Sequence, residues 1–121
     1  MNTILRNLTP HPITFSGIID GGPKMITIDP TNEPCRVETE SHTRGMIDGT
    51  IPVQCQTYGA VTNLPDPAAN VMYVVSGMVL HAMRIKGDTR QDVIAPATGP
   101  RDNCLRNANG HVVAVTAFNT L

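Results

Sequence analysis

Aromatic residues are scarce in this sequence. It has no Trp, two Tyr and two Phe, so Phe15, Tyr58, Tyr73 and Phe118 are the only rings available for core packing or for stacking on a nucleobase. Met and Val side chains must therefore fill much of the interior, since Met adapts to irregular gaps between other side chains. Few rings are left for any site that stacks bases.

Cysteines and long apolar runs are also rare. Cys35, Cys55 and Cys104 form no C-x-x-C pair, and any disulfide scheme leaves one thiol over. This pattern favours a reduced, cytosolic setting. Residues 1–7, MNTILRN, lack the features of a secretory leader, and no apolar run reaches the roughly 18 residues of a membrane span. We therefore expect neither secretion nor a membrane partner.

The charge is small overall but unevenly distributed. A net charge of −1 argues against a protein that coats nucleic-acid polymers, because that role normally needs a strongly basic domain. Residues 84–106 nevertheless hold five basic and three acidic side chains, whereas residues 1–83 hold four basic and seven acidic ones. The two segments therefore differ in the sign of their net charge.

Glycine and proline are abundant, with ten of each, which predicts many turns between short strands. A chain of 121 residues is expected to form a single small domain, residues 1–121, around one core. In the stretch NLTPHPITF, Pro10 and Pro12 fix φ near about −65° and keep Thr9 and His11 extended. We therefore expect this stretch to enter a sheet and not to open a helix.

Turn residues divide the first half of the chain into strands. We predict a strand over residues 13–19, a turn at the DGGP that follows, and a strand at the next MITI. Asp48 and Gly49 predict the turn of a long hairpin that covers residues 36 to 58. One face of this hairpin is wholly polar and the other carries small side chains, so we expect it to pair with another subunit.

The run VMYVVSGMVLHAMR is the most apolar stretch of the chain. Residues 71–75 favour a buried strand, and Ser76 is a candidate N-cap of the only helix that we predict, with Met83 on its apolar face. Farther on, DVIAP predicts a short strand, and Asn109-Gly110 predicts a hairpin into a strand over residues 112–118. The expected fold is α+β, mostly antiparallel β, with a long β-hairpin and one short helix.

The sequence has no recognisable catalytic motif. It lacks H-E-x-x-H, the Cys/His spacing of zinc sites, the phosphate loop G-x-x-x-x-G-K-[ST], and G-x-G-x-x-G after a strand. His11, His42, His81 and His111 are scattered, and we interpret them as incidental. We therefore expect a binding protein without metal or cofactor, not an enzyme. A metal-free hydrolase that uses His11 or His111 as its base is the enzyme alternative.

The later basic segment is the best candidate for a binding site. Guanidinium groups grip phosphate bidentately, and amide side chains can bind ribose or base edges, so this mixture fits a small phosphorylated ligand. The alternative is a solvated surface on which the arginines pair with Asp88, Asp92 and Asp102. The basic and amide side chains concerned are Arg84, Lys86, Arg90, Arg101, Arg106, Gln91, Asn103, Asn107 and Asn109.

The order of several short motifs resembles that of a family of small phage and bacterial proteins that begin with an LTPHP segment. The motifs are NLTPHPI, IDGTIPVQCQTYGAVTNLPDP, VMYVVSGMVLHAM, QDVIAP and LRNANGHVVAV, which together cover nearly the whole chain. Within that family, the part from DVIAPATGP onward is similar to the Thoeris anti-defence proteins of the first type. Those proteins are phage sponges for cyclic ADP-ribose signals made by TIR enzymes.

The resemblance implies a phage protein that binds glycocyclic ADP-ribose intact in the cytoplasm of the infected host and so blocks immune signalling. It also implies hexamers built from dimers, with the signal held in pockets between two subunits. Some relatives bind cyclic trinucleotides of cGAS-like (CBASS) systems in separate pockets on the threefold axes. The expected partners are therefore a small cyclic nucleotide and further copies of the chain.

The resemblance also places candidate ligand contacts by position. Arginines would contact pyrophosphate or ribose, glutamines would bind sugar or base edges, and Met83 would cover the adenine. The sequence lacks an aromatic residue around Met83, where relatives place a stacking Phe, and Tyr58 would compensate across the dimer. The set comprises Gln56, Tyr58, Met83, Arg84, Arg90, Gln91 and Arg106, with Lys24 and Arg36 as phosphate partners in a second nucleotide site.

Two other functions remain open from the sequence alone. A structural or assembly protein of a phage particle fits the glycine and proline distribution almost equally well, because small β-rich oligomers need no pocket chemistry. A cyclic-nucleotide hydrolase is the second alternative.

Overall fold

Ten strands and one helix make up the described part of the chain, residues 3–31 and 33–121 of a computed structural model. They are β1 (Ile4–Asn7), β2 (Ile13–Ile19), β3 (Gly22–Ile28), β4 (Arg36–Ile47), β5 (Ile51–Thr62), β6 (Val71–Val74), α1 (Gly77–Ile85), β7 (Val93–Pro96), β8 (Leu105–Arg106), β9 (Val112–Ala114) and β10 (Phe118–Thr120). Most strand pairs are antiparallel, and the chain forms one small α+β domain, as predicted.

A four-stranded sheet in the order β1-β6-β7-β10 forms the centre of the fold. β1 and β7 both run parallel to β6, and β10 runs antiparallel to β7. Parallel neighbours need a crossover connection, and α1 supplies it between β6 and β7. Neither β1 nor the parallel pairing was predicted from the sequence.

The hydrophobic core lies between this sheet and α1. Val75 is fully buried, and Val79, Met83 and Val93 pack against it from the helix and the neighbouring strand. The apolar run of β6 is continuous and not alternating, which is typical of a parallel strand that is covered on both faces. Ser76 caps the helix as predicted, because its hydroxyl accepts a hydrogen bond from the Val79 N–H at 3.2 Å.

The proline-rich stretch after β1 is fixed by the buried side chain of Asn7. Its Nδ2 donates to the carbonyl oxygens of His11 and Ile28, each at 2.9 Å, and its Oδ1 accepts from both the backbone N–H and the hydroxyl of Thr9. The prolines hold the loop in the extended shape that brings these groups together. The stretch leads into β2, as expected.

Two antiparallel ribbons extend from the centre. The short ribbon, β2–β3, turns at Asp20-Gly21, and the long ribbon, β4–β5, turns at Asp48-Gly49; all four residues have positive φ. Such paired positive φ angles suit the twist of a two-residue hairpin turn, and Gly adopts them without steric cost. Both predicted turns are therefore confirmed.

The prediction of one strand over residues 112–118 is wrong. β9 pairs with β8, and β10 pairs with β7 in the central sheet, with Val115 between them making an isolated bridge to Phe15 of the short ribbon. The hydroxyl of Thr116 donates to the carbonyl oxygen of Asp102 at 3.0 Å, which holds the chain where it changes sheets. The last predicted strand is thus two strands with different partners.

No helix among residues 3–31 and 33–121 combines the length and the apolar character needed to cross a bilayer.

Candidate functional site

Among the cationic side chains of the predicted set, Arg90 makes the most contacts with other residues. Its Nε and Nη2 donate to the two carboxylate oxygens of Asp92 at 2.9 and 2.7 Å, and Nη2 also donates to the Pro65 carbonyl oxygen at 2.9 Å. The guanidinium carbon lies 5.9 Å from the centre of the Tyr73 ring, within the range of a cation–π contact. Arg90 therefore ties the loop after α1 to the loop before β6.

The ion pair shifts the pKa values of both partners so that the charged form of each side chain is favoured. The hydrogen bonds from Arg90 hold the pKa of the Asp92 carboxyl below its usual range, and the same bonds raise the pKa of Arg90. Their side chains are 20% and 17% exposed, so water screens the pair only partly. Asp92 is ionised at neutral pH, which is the state that orients the guanidinium.

An open pocket of about 450 Å³ lies beside this ion pair. We call it the Arg90 pocket, and it is lined by Asp88, Thr89, Arg90, Gln91, Thr120 and Leu121. Arg84, in the last turn of α1, reaches its edge, because Nη2 of Arg84 donates to the Thr120 carbonyl oxygen at 2.8 Å. The structure therefore brings together Arg84, Arg90 and Gln91 of the predicted contacts.

The local sequence explains how the chain reaches this pocket. α1 ends at Ile85, and Gly87 adopts a positive φ of 76°, which turns the chain away from the helix axis. The Asp88 carboxylate then accepts the Arg90 N–H at 3.0 Å, so the loop is closed by its own side chain. Arg90 and Gln91 are thereby presented on an ordered turn.

Some donors of the two arginines are free to meet a ligand. In the described part of the chain, Nη1 of Arg90 and both Nε and Nη1 of Arg84 make no hydrogen bond. Asp88 also lines the pocket, so its wall is not uniformly basic. The arrangement suits an anionic ligand that also offers hydrogen-bond donors.

Gln56 and Tyr58 lie on the long ribbon and do not line the Arg90 pocket. The Tyr58 ring meets the His81 ring of α1 edge-on, with the centres 5.9 Å apart, and Lys86 Nζ donates to the neighbouring Gly59 carbonyl oxygen. These contacts fasten the ribbon to the helix. Gln56 is exposed and stands opposite Ser41.

Met83 is 2% exposed and belongs to the core. The prediction that it covers an adenine therefore needs correction, because a ligand could reach its sulfur only if the core opened. The apolar period of α1 had already placed it on the buried face. Packing, and not ligand binding, accounts for this residue.

Arg106 belongs to a different surface of the chain. It donates through Nη1 to the Gly110 carbonyl oxygen at 2.9 Å and through Nη2 to that of Thr98 at 3.1 Å, which braces the β8–β9 hairpin. A groove of about 350 Å³ runs beside it and is lined in part by His11 and Thr98. Within one chain Arg106 does not share the Arg90 pocket.

Lys24 and Arg36 also lie apart. Lys24 is exposed on the short ribbon opposite Gly17, whereas Arg36 lines a pocket of about 250 Å³ beside Ser76 and Met78 at the start of α1. One chain does not bring the two cations into a common pocket.

A pocket of about 620 Å³ was not predicted from the sequence. Two of its lining residues, Pro65 and Tyr73, also contact Arg90. The pocket is lined by Arg6, Leu8, Thr31, Glu33, Asn63, Leu64, Pro65 and Tyr73. Its walls come from β1 and from the loops before β4 and β6, which are distant in sequence. The positive φ of Asn63 marks a turn there, but no local motif signals a cavity.

The described residues hold no group of three or more His, Cys, Asp or Glu side chains placed to share a metal ion. Burial raises the pKa of the Cys35 thiol to about 11, which leaves it protonated and a poor nucleophile at neutral pH. Neither ring of His11 or His111 makes a hydrogen bond or ion pair with a carboxylate in the described segments.

Neither a protein-family model, nor a curated protein, nor a solved structure matches this chain.

Proposed function

We propose that the protein binds and sequesters a small cyclic nucleotide signal without converting it, as a phage sponge of the kind that the motif order resembles. The observation that carries this proposal is the Arg90 pocket, where Arg84, Arg90 and Gln91 meet around an open space of about 450 Å³. Volumes of this order are typical of pockets for small ligands.

The ligand chemistry follows from the free donors at this pocket. Nη1 of Arg90 and the free donors of Arg84 suit the oxygens of a pyrophosphate, and the Gln91 amide can bind a ribose hydroxyl or a base edge. Arg90 is already held by Asp92, Pro65 and Tyr73. Little side-chain freedom is lost when it meets a ligand, which favours affinity. Glycocyclic ADP-ribose carries all of these groups.

A second copy of the chain would complete the site. No aromatic ring lines the Arg90 pocket, whereas Tyr58, Gln56 and Arg106 are displayed elsewhere on the chain. The resemblance implies hexamers built from dimers with pockets between subunits, and such packing would bring these side chains to the pocket of a neighbour. In this proposal Tyr58 supplies the face on which the adenine stacks.

The proposed setting is the cytoplasm of an infected bacterium, where removal of the signal would silence Thoeris defence. Cyclic trinucleotides of CBASS systems are the proposed ligands of the second site. Lys24 and Arg36, apart within one chain, would then meet around a threefold axis of the hexamer. Each is exposed and so available for such packing.

Calorimetric titration with the cyclic ADP-ribose isomers and with cyclic trinucleotides tests the proposal. Arg84→Ala removes a charged hydrogen bond, which is worth about 1.5–3 kcal/mol, so affinity for the bound isomer should fall by at least about tenfold. Arg101→Ala is the matched control. Arg101 is also exposed and lies in the same basic segment, but among the described residues it makes no hydrogen bond to a residue that lines the Arg90 pocket, whereas Arg84 bonds to Thr120. Equal affinity in the two variants would contradict this site.

The fate of the bound ligand separates a sponge from an enzyme. The protein is mixed with the signal, denatured by heat, and the released nucleotide is analysed by mass spectrometry. Intact signal supports sequestration, whereas a ring-opened product establishes the hydrolase alternative. Absence of binding, together with recovery of the protein in purified phage particles, would establish an assembly protein instead.

A further inference from the structure

The end of the long ribbon carries apolar side chains that the described part of the chain leaves about half exposed. We call residues 45–53 the ribbon tip. Met46, Ile47, Ile51 and Val53 within it are between 41% and 59% exposed, and Asp48 is its only charged residue. Isolated exposed apolar side chains are ordinary, but Ile47, Ile51 and Val53 share one face of the ribbon, and such a group marks an interaction surface.

The geometry of the ribbon keeps this tip away from the body of the domain. Met46 stands opposite Pro52 on one face of the ribbon, and Ile47 stands opposite Ile51 on the other face. The ribbon is fastened to α1 at Tyr58 and Gly59, nearer its base. Strands of twelve residues extend about 40 Å, and the tip lies at their far end.

A matching apolar groove lies elsewhere on the molecule, between the short ribbon and the edges of the central sheet. It encloses about 290 Å³, and all six of its lining side chains are apolar: Leu5, Phe15, Ile19, Ile26, Ile28 and Phe118. The Phe15 and Phe118 rings stack with their centres 6.3 Å apart and form its floor. We call this the Phe15 groove.

The accessible surface of the chain is larger than that of a compact protein of its mass. It is 8227 Å² for 13.0 kDa, whereas the usual scaling of surface with mass gives about 6,300 Å². The excess of about 1,900 Å² is more than the roughly 800 Å² that each partner buries in a stable interface. The exposed ribbons can therefore supply the area of an interface between copies.

We propose that the ribbon tip of one copy packs into the Phe15 groove of a second copy of the same chain. The chain carries both surfaces, and each is apolar. The tip cannot pack into the groove of its own molecule, because the ribbon is fastened to α1 near its base. Reciprocal insertion across a two-fold axis would cover both tips and both grooves, whereas one-way insertion must close into a ring to avoid open growth.

This inference rests on the proposed function in one respect, because both need a second copy of the chain. The tip and the groove share no lining residue with the Arg90 pocket. Loss of ligand binding with intact assembly would therefore overturn the proposed function alone. A wild type that binds the signal intact as a monomer would overturn this inference and the completion of the site by a second copy, but not sequestration itself.

Oligomeric state, measured by light scattering and by sedimentation over a range of concentrations, gives the first test. The wild type should exceed the 13.0 kDa of one chain. The tip variant Ile47→Thr/Ile51→Thr and the groove variant Ile26→Thr should each dissociate at concentrations at least tenfold higher than the wild type. All three substituted positions are exposed, and Thr favours strands, so the domain should still fold.

Val113→Thr is the matched control, since Val113 is equally exposed but belongs to neither surface. It should assemble as the wild type does. A monomeric wild type, or tip and groove variants that assemble like Val113→Thr, would overturn the proposal.

Disulfide trapping tests the pairing of the two surfaces directly. Ile47→Cys and Ile26→Cys are made as separate variants, one with a mass tag, then mixed and oxidised. The proposal expects a tagged–untagged disulfide to form much faster than either variant's disulfide with itself. Preferential tip-to-tip bonding, or no mixed product above the wild-type background, would show that the tip docks elsewhere.

Discussion

Asn7 and Arg90 show how much of this small domain depends on single side chains. Asn7 joins the loop of Thr9 and His11 to the end of β3 at Ile28 through its amide group, and Arg90 joins two loops and an aromatic ring through its guanidinium. Both are surrounded by partners that fix one orientation. Substitution of either residue, or of its partner, should therefore have a measurable cost.

Asn7→Asp should destabilise the protein by at least about 2 kcal/mol. The aspartate keeps the acceptor for Thr9 but cannot donate to the carbonyl oxygens of His11 and Ile28, and it places a charge in a buried site. Denaturant unfolding measures the change. Asn109→Asp, in an exposed turn, should stay within about 0.5 kcal/mol of the wild type. Equal stability of the two variants would show that the Asn7 hydrogen bonds contribute little.

Asp92→Asn should lower stability at neutral pH by about 1.5–3 kcal/mol, the usual range for a hydrogen bond to a charged group. Because the pKa of Asp92 is lower in the folded state, its contribution is fully present above the unfolded pKa of about 3.9 and is lost as pH falls through the folded value. The difference in the free energy of unfolding between wild type and variant should therefore disappear as pH falls below about 4. Asp66→Asn, at an exposed position, is the control.

At the scale of the element, predictions succeeded where the signal is local. The two hairpin turns depend on Asp-Gly pairs, and the helix start depends on Ser76, so a few adjacent residues decide each. β1 and the break at Val115 could not be predicted, because their partners lie far away in the sequence. Pairing between distant strands leaves no nearby pattern to detect.

Ser76→Ala should destabilise the protein by about 1 kcal/mol, since it removes the hydroxyl that accepts the Val79 N–H at the first turn of α1. Thermal unfolding followed by circular dichroism measures the effect. Ser41→Ala, on the exposed face of the long ribbon, removes a hydroxyl without a cap and should change little. Equal midpoints of thermal unfolding for the two variants would show that the Ser76 cap contributes little to stability.

At the scale of the whole molecule, the candidate site was only partly predictable. Charge counting along the chain found the segment that contains Arg84, Arg90 and Gln91, and the structure does bring these three together. It could not separate Arg106 from them, because that placement depends on tertiary packing. The helical apolar period did place Met83 on the buried face, which contradicts the adenine contact that the resemblance implied. Of the arginine–aspartate pairs that the solvated-surface alternative predicted, the described residues show Arg90 with Asp92, and this pair is mostly shielded from solvent.

β10 is only three residues long, yet Phe118 lines the Phe15 groove and Thr120 lines the Arg90 pocket. If the ribbon tip of a second copy or the ligand displaced this strand, the lining of the other site would change. If filling the groove raises affinity at the pocket, thermodynamic reciprocity requires that ligand tighten subunit association by the same factor. The gain in ligand affinity and the gain in subunit association would then be two measurements of the same coupling free energy.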